Sequence, residues 1–175
     1  MKNLIKLTKI LLGLTTLGCV SAIAPIPSAQ AQPAYGSYVG VGASFGLTNG
    51  NTSLGENATT SGLVSARYKF LEFPVSIRTQ ILIGNSTAVV PTVSFDVPLN
   101  FDTDLYIGAG GALSNTTNST PVGNQNSWVI QPGIDYTVPN SNLVIFGNVI
   151  FALNAYRNSP GTTATSVNTG LGFRF

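Results

Sequence analysis

The sequence predicts an all-β fold, an eight-stranded antiparallel up-and-down transmembrane β-barrel, over residues 32–175. Three observations carry this expectation. Segments of about ten residues alternate apolar and polar with period two, the pattern of a strand with lipid on one side and a lumen on the other. The links between segments are mostly long and short in turn. The charged residues fall on the same face as the glycines, as they would inside a narrow closed barrel. No segment after residue 31 keeps the i, i+3, i+4, i+7 spacing of an amphipathic helix.

Ahead of the barrel, Lys2, Lys6 and Lys9 precede an apolar run from Ile10 to Val20, and Ala29-Gln30-Ala31 follows. Basic start, short apolar middle and small residues make residues 1–31 a secretory signal peptide. The run is too short for a membrane-crossing helix, which needs about 20 residues. A second processing reading stands beside the first. Leu17-Gly18-Cys19 resembles a lipoprotein box, with Thr16 where that motif prefers Leu. Cleavage after Ala31 removes the only cysteine, and with it disulfide and thiol chemistry. It leaves Arg67, Lys69, Arg78, Arg157 and Arg174 against Glu56, Glu72, Asp96, Asp102, Asp104 and Asp135. Five bases against six acids give a net −1, where the whole chain carries +2. The basic balance therefore belongs to the leader and implies no nucleic-acid partner.

The first strand sets Val39, Val41, Ala43, Phe45 and Leu47 outward, with Gly36, Tyr38, Gly40, Gly42, Ser44 and Gly46 inward. The second sets Val64, Ala66, Tyr68 and Phe70 against Ser65, Arg67 and Lys69. The third opposes Val75, Ile77, Thr79, Ile81 and Ile83 to Ser76, Arg78, Gln80 and Leu82. The fourth opposes Val89, Pro91, Val93, Phe95 and Val97 to Ala88, Val90, Thr92, Ser94 and Asp96. The fifth opposes Leu105, Ile107, Ala109 and Leu113 to Asp104, Tyr106, Gly108, Gly110 and Ser114. In the sixth, Trp128, Ile130, Pro132, Ile134 and Tyr136 face out, and Gln131, Gly133 and Asp135 face in. The seventh, Leu143 to Tyr156, is apolar on both faces; Asn148 and Asn154 suggest the inward side and leave its phase open. The eighth sets Leu171, Phe173 and Phe175 against Gly170, Gly172 and Arg174.

Aromatic residues gather where strands end. Tyr68, Phe70, Phe95 and Tyr136 fall at one end of the barrel, together with Phe101, Phe173 and Phe175, while Phe45 and Trp128 fall at the other. That is the placement of an interfacial girdle. A soluble β-sandwich also has short alternating strands, but it turns its charges outward around a dry core. Here the charges take the glycine face.

The last strand resembles the closing strand of bacterial outer-membrane β-barrels. Thr169-Gly170, two free positions, Phe173, one free position and a terminal Phe175 match that pattern. The resemblance implies that Gly170, Phe173 and Phe175 form the signal read by the barrel-assembly machinery, after escort by periplasmic chaperones. Over residues 32–175 the alternation, the link lengths and the end motif resemble the small OmpA/OmpX-type barrels. The resemblance implies a monomer in outer-membrane lipid with both termini periplasmic, short periplasmic turns and longer outer loops. The loops could meet an extracellular partner; with little charge and few anchors, they read as solvated cover.

Little in the chain marks catalysis. There is no histidine, which removes Ser–His–Asp hydrolysis and the common zinc sites. It also sets the chain apart from the outer-membrane lipid A acyltransferase and deacylase families, which use one. Asp102-Thr103-Asp104 offers too few oxygens for calcium, and Asn-x-Ser/Thr triplets at Asn51, Asn57, Asn85, Asn115 and Asn118 follow from loop composition. No catalytic residue, cofactor or metal site is expected. The sharpest constellation is a lumen charge network of Arg67, Lys69, Arg78, Asp96, Asp104, Asp135 and Arg174 near the short turns. A tight turn at Leu71–Pro74 puts Arg67 opposite Arg78, and like charges across a ladder need acids between them. Arg67→Ala or Asp96→Ala is then expected to destabilise far more than Glu56→Ala. Three functions remain open: a structural or surface-interaction barrel with a plugged lumen, a narrow porin-like channel, and a secreted soluble β-rich adhesin.

Overall fold

The computed structural model describes residues 36–114 and 116–175. The expected signal peptide, its cleavage after Ala31 and lipidation of Cys19 lie outside those residues. The described chain is a closed antiparallel barrel in sequence order: β1 (Tyr38–Gly46), β2 (Thr60–Lys69), β3 (Val75–Ile83), β4 (Thr87–Asn100), β5 (Thr103–Ala112), β6 (Ser127–Thr137), β7 (Leu143–Leu153) and β8 (Ala164–Arg174). β8 returns to pair with β1, so the sheet has no free edge. One turn of 3-10 helix, Thr52–Leu54, interrupts the first link.

The alternation places side chains as expected in β1 to β6 and β8. One outward residue from each strand shows the result: Val41, Val64, Ile77, Val93, Ile107, Ile134, Ile145 and Leu171 are all exposed, Val41 at 65% and Ile107 at 58%. Together they form an apolar ring around the whole barrel. The inward neighbours are buried, among them Arg67, Arg78 and Asp96. Phe45, Tyr68, Phe70, Phe95, Trp128 and Tyr136 all face outward and are exposed. Tyr68 and Phe70 meet edge to face at 5.4 Å.

Two strands depart from expectation. β7 ends at Leu153 rather than Tyr156, and its inward side is Val144, Phe146, Asn148, Ile150 and Ala152. Asn148 does mark the lumen side; Asn154 lies beyond the strand, exposed, with φ 54°. The period-two signal fails here because the lumen is itself apolar where Ile150 and Ala152 enter it. β4 runs on to Asn100, so the fourth link is only Phe101-Asp102, not residues 98–103. The register with β5 shifts between Pro98 and Asn100. A proline, having no N–H for the ladder, is accommodated at such an irregularity without ending the strand.

The barrel therefore has two unlike ends. The turn end carries the short links 70–74, 101–102 and 138–142; the loop end carries 47–59, 84–86, 113–126 and 154–163.

A charged lumen under a loop cap as the candidate functional site

At the turn end, β2–β3 register sets Arg67 directly opposite Arg78. Acids from β4, β5 and β6 occupy the space between and beside them. Arg67 reaches Asp96 at 2.8 Å, Asp104 at 2.9 Å and Asp135 at 2.8 Å. Arg78 reaches Asp135 at 2.8 Å and Asp96 at 3.2 Å, and Lys69 closes on Asp104 at 2.8 Å. Three bases meet three acids, so the cluster is neutral. The planar guanidinium fork lets one arginine bind several carboxylates in fixed geometry, which an ammonium cannot do.

Hydroxyls and rings fill the remaining positions. Arg67 Nε donates to Ser76 Oγ at 3.1 Å, and Arg78 Nε donates to Ser94 Oγ at 2.9 Å. Ser76 and Ser94 both donate on to Asp96. Tyr38 donates its phenol proton to Asp135 at 3.0 Å, and the Arg78 guanidinium lies 3.3 Å from the centre of the Tyr106 ring. The sequence places all four on the inward face but does not assign them to the charge network, although Ser76 and Ser94 are the inward neighbours of Arg78 and Asp96 on their own strands. Arg174 takes a different partner: its Nη2 donates to the Ser141 carbonyl in the β6–β7 turn at 3.0 Å.

Above the cluster the rings need space, and glycines supply it. Phe146 stacks on Tyr38 with centroids 5.6 Å apart. A Cβ on Gly172 would come within 2.7 Å of the Tyr38 ring, and one on Gly40 within 2.8 Å of Phe146. Higher still, Thr92 donates to Gln131 at 2.7 Å and Asn168 to Asn148 at 2.8 Å. The loop-end third of the lumen is mainly apolar: Leu63, Leu82, Val90, Ile150 and Ala164 are buried there, with the small hydroxyls of Ser44, Ser61 and Ser166 among them.

The loops are not solvated cover, contrary to the expectation from composition. Val122 in the β5–β6 link, and Ala155 and Tyr156 in the β7–β8 link, join the same buried apolar cluster as Leu63 and Val90. Glu56 is fully buried, not a surface residue that substitution would leave unaffected. Its carboxylate accepts from the backbone N–H of Asn158 at 2.8 Å and of Asn51 at 2.9 Å. It also accepts from Ser159 Oγ at 3.0 Å and Asn124 Nδ2 at 3.1 Å. One side chain thus ties together the β1–β2, β5–β6 and β7–β8 links. Burial pushes the Glu56 carboxyl up, but these four donors outweigh it and hold the group below the usual glutamate range. Burial, with the Glu56 charge beside it, pushes the Tyr156 phenol up to about 12.

Chemically, the carboxylates of the lumen are engaged by arginine, lysine, serine and tyrosine. Among the described residues no group of three or more His, Cys, Asp or Glu is arranged to hold a metal ion.

No protein-family model matches the chain, and no curated protein matches it. Solved structures do resemble it. Neisserial surface protein A is similar with a TM-score of 0.56 at 15% identity, over 79% of this chain and 97% of that one. Ail, the attachment invasion locus protein of Yersinia pestis, gives 0.53 at 14% identity, over 79% and 97%. A de novo designed transmembrane β-barrel gives 0.52 at 13%, over 80% and 96%. At such identities the likeness is one of fold, and the fold is an eight-stranded β-barrel.

Proposed function

We propose that this chain is an integral protein of a bacterial outer membrane, a structural or surface-interaction barrel whose lumen is sealed. The observation that carries the reading is the contrast between the two faces of one wall. Outside, an apolar ring is open to solvent in the isolated chain; a soluble monomer rarely leaves apolar patches above a few hundred Å² uncovered. Strands of nine to fourteen residues, tilted, are long enough to cross the hydrocarbon layer. Inside, buried side chains close every layer, from Arg67 and Asp135 through Phe146 and Leu82 to Val122 and Tyr156. A water-filled pore would leave a continuous line of exposed interior residues, and the burial of these side chains supports the sealed lumen over the channel reading.

The same reading takes residues 1–31 as the signal peptide, puts the turn end in the periplasm and the capped end outside, and makes the barrel a monomer. Lipid is its solvent, and the assembly machinery its partner during biogenesis. Ail is known in complex with sucrose octasulfate, a heparin analogue. At this chain's loop end Arg157 is the only base among the described residues, so polyanion binding is not carried over.

The test has two parts. Detergent-folded protein is expected to run differently on a gel before and after boiling; identical migration would favour the soluble adhesin. Reconstituted into a planar bilayer, it is expected to give no current steps above those of bare lipid. Regular steps would overturn the sealed lumen in favour of the narrow channel.

A further inference from the structure

We propose that the loop cap is an acid-loosened latch: protonation of Glu56 undoes the joint at which the three long links meet and loosens the cap over the mainly apolar mouth of the lumen. The cap's links lie outside the strand ladders that close the barrel. The β5–β6 and β7–β8 links are joined by the N–H groups of Asn124 and Gln125 on the Ala155 carbonyl and by the Arg157 N–H on Asn124 Oδ1, and Tyr156 donates to the Thr48 carbonyl of the β1–β2 link. Glu56 is the point where all three meet. Its two oxygens accept four hydrogen bonds, from Asn51, Asn124, Asn158 and Ser159. Every partner is a donor. A proton taken up from solvent would replace one acceptor oxygen by an O–H facing mainly N–H groups, weakening the part-buried amide contacts and leaving the buried Asn124 amide short of an acceptor.

The surroundings make the response specific to this group. From the β7–β8 link, Tyr156 and Arg157 are the ionisable neighbours; the Tyr156 phenol, pushed up by burial and by Glu56, stays protonated throughout the acid range. The β5–β6 link contributes no titratable side chain, and the β1–β2 link contributes only Glu56 itself. The remaining acids among the described residues, Glu72, Asp96, Asp102, Asp104 and Asp135, lie towards the turn end. Freeing the latch would lift Val122, Ala155 and Tyr156 from the cluster they share with Leu63 and Val90. The exposed mouth would be mainly apolar, where the closed cap presents mainly Asn, Ser, Thr and Gly.

The sign follows from linkage. A carboxyl held below its unfolded value stabilises the closed cap above that value, and the contribution is lost as pH falls through the folded one. Two of the donors are backbone amides and so report on the latch directly. Hydrogen exchange of the Asn51 and Asn158 amides, followed by NMR in detergent micelles from about pH 7 to about pH 3, is the test. Their protection is expected to fall, by up to about tenfold per pH unit, between the ordinary glutamate value and the lowered folded one, and to level off below it, while amides of the β1–β8 ladder keep theirs. Glu56→Gln is expected to show low protection of both amides at neutral pH and no acid dependence. Unchanged protection in the native protein down to the acid limit would overturn the latch. So would loss in step with the ladder, or the same acid response in Glu56→Gln; if that variant does not fold, the native titration decides alone.

Discussion

Arg67→Ala is expected to cost the barrel about 3–5 kcal/mol, because it leaves buried carboxylates without their counter-charge. The arginine meets three acids at once, and its side chain is only 2% exposed. Its loss would turn a neutral cluster of three bases and three acids into two against three. In a chain of this size that corresponds to a melting temperature lower by about 10 °C. Heat-dependent gel migration of the detergent-folded protein measures it. Two companions separate charge from geometry. Arg67→Lys keeps the charge but not the planar fork, and should fall between alanine and the native protein. Adding Asp104→Asn to Arg67→Ala restores two bases against two acids, and should recover part of the loss. An Arg67→Ala barrel melting with the native protein would remove the cluster from any part in stability. Glu56→Ala cannot serve as the unaffected control, since Glu56 is itself buried and fully engaged.

The charged end of the lumen was legible because strands translate sequence distance into position by simple rules. Arg67 and Arg78 straddle one tight turn, so their facing register followed from counting. Asp96 and Asp104 straddle the next, and both had inward parity. What those rules omit is where a long side chain goes after leaving its strand. Arg174 has the right parity but reaches the Ser141 carbonyl in a turn. Tyr38 and Tyr106 lie on the inward face, yet only the glycines opposite them reveal that their rings enter the cluster.

The cap was illegible for a different reason. Asn, Ser and Thr serve equally as solvated loop and as hydrogen-bonding framework, and composition cannot separate the two. The partners of Glu56 lie 68 residues away at Asn124 and 102 and 103 away at Asn158 and Ser159. No periodicity connects them. The available clue was isolation: a single acid in long links otherwise free of acids must find donors if the links fold together. The ambiguous phase of β7 belongs to the same story. Its loop-end half faces lipid-like apolar surroundings on one side and the apolar underside of the cap on the other, so alternation carries no information there.

The closing strand allows two roles for its residues to be separated. Gly170 stands opposite Gly42, as Gly172 stands opposite Gly40, along the β1–β8 seam. A Cβ on Gly170 would lie 2.5 Å from Cζ of Phe146 and 2.8 Å from Cα of Gly42, and it would also meet the Val41 carbonyl. A ring can rotate away; paired backbone cannot. Gly170→Val is therefore expected to block seam closure even in detergent refolding, beyond the roughly 1–3 kcal/mol usual for overpacking. Phe146→Ala should not rescue it, because the backbone contact remains. Phe175 behaves oppositely: it is 60% exposed on the outer face and fills no interior space. Its deletion should leave refolding and melting in detergent close to native, while lowering the amount of barrel assembled in cells if it is read as an assembly signal. A Gly170→Val chain that refolds and melts like the native protein would show that seam packing does not require glycine there. A Phe175 deletion that assembles normally in cells would leave the terminal aromatic with no role beyond its contact with lipid.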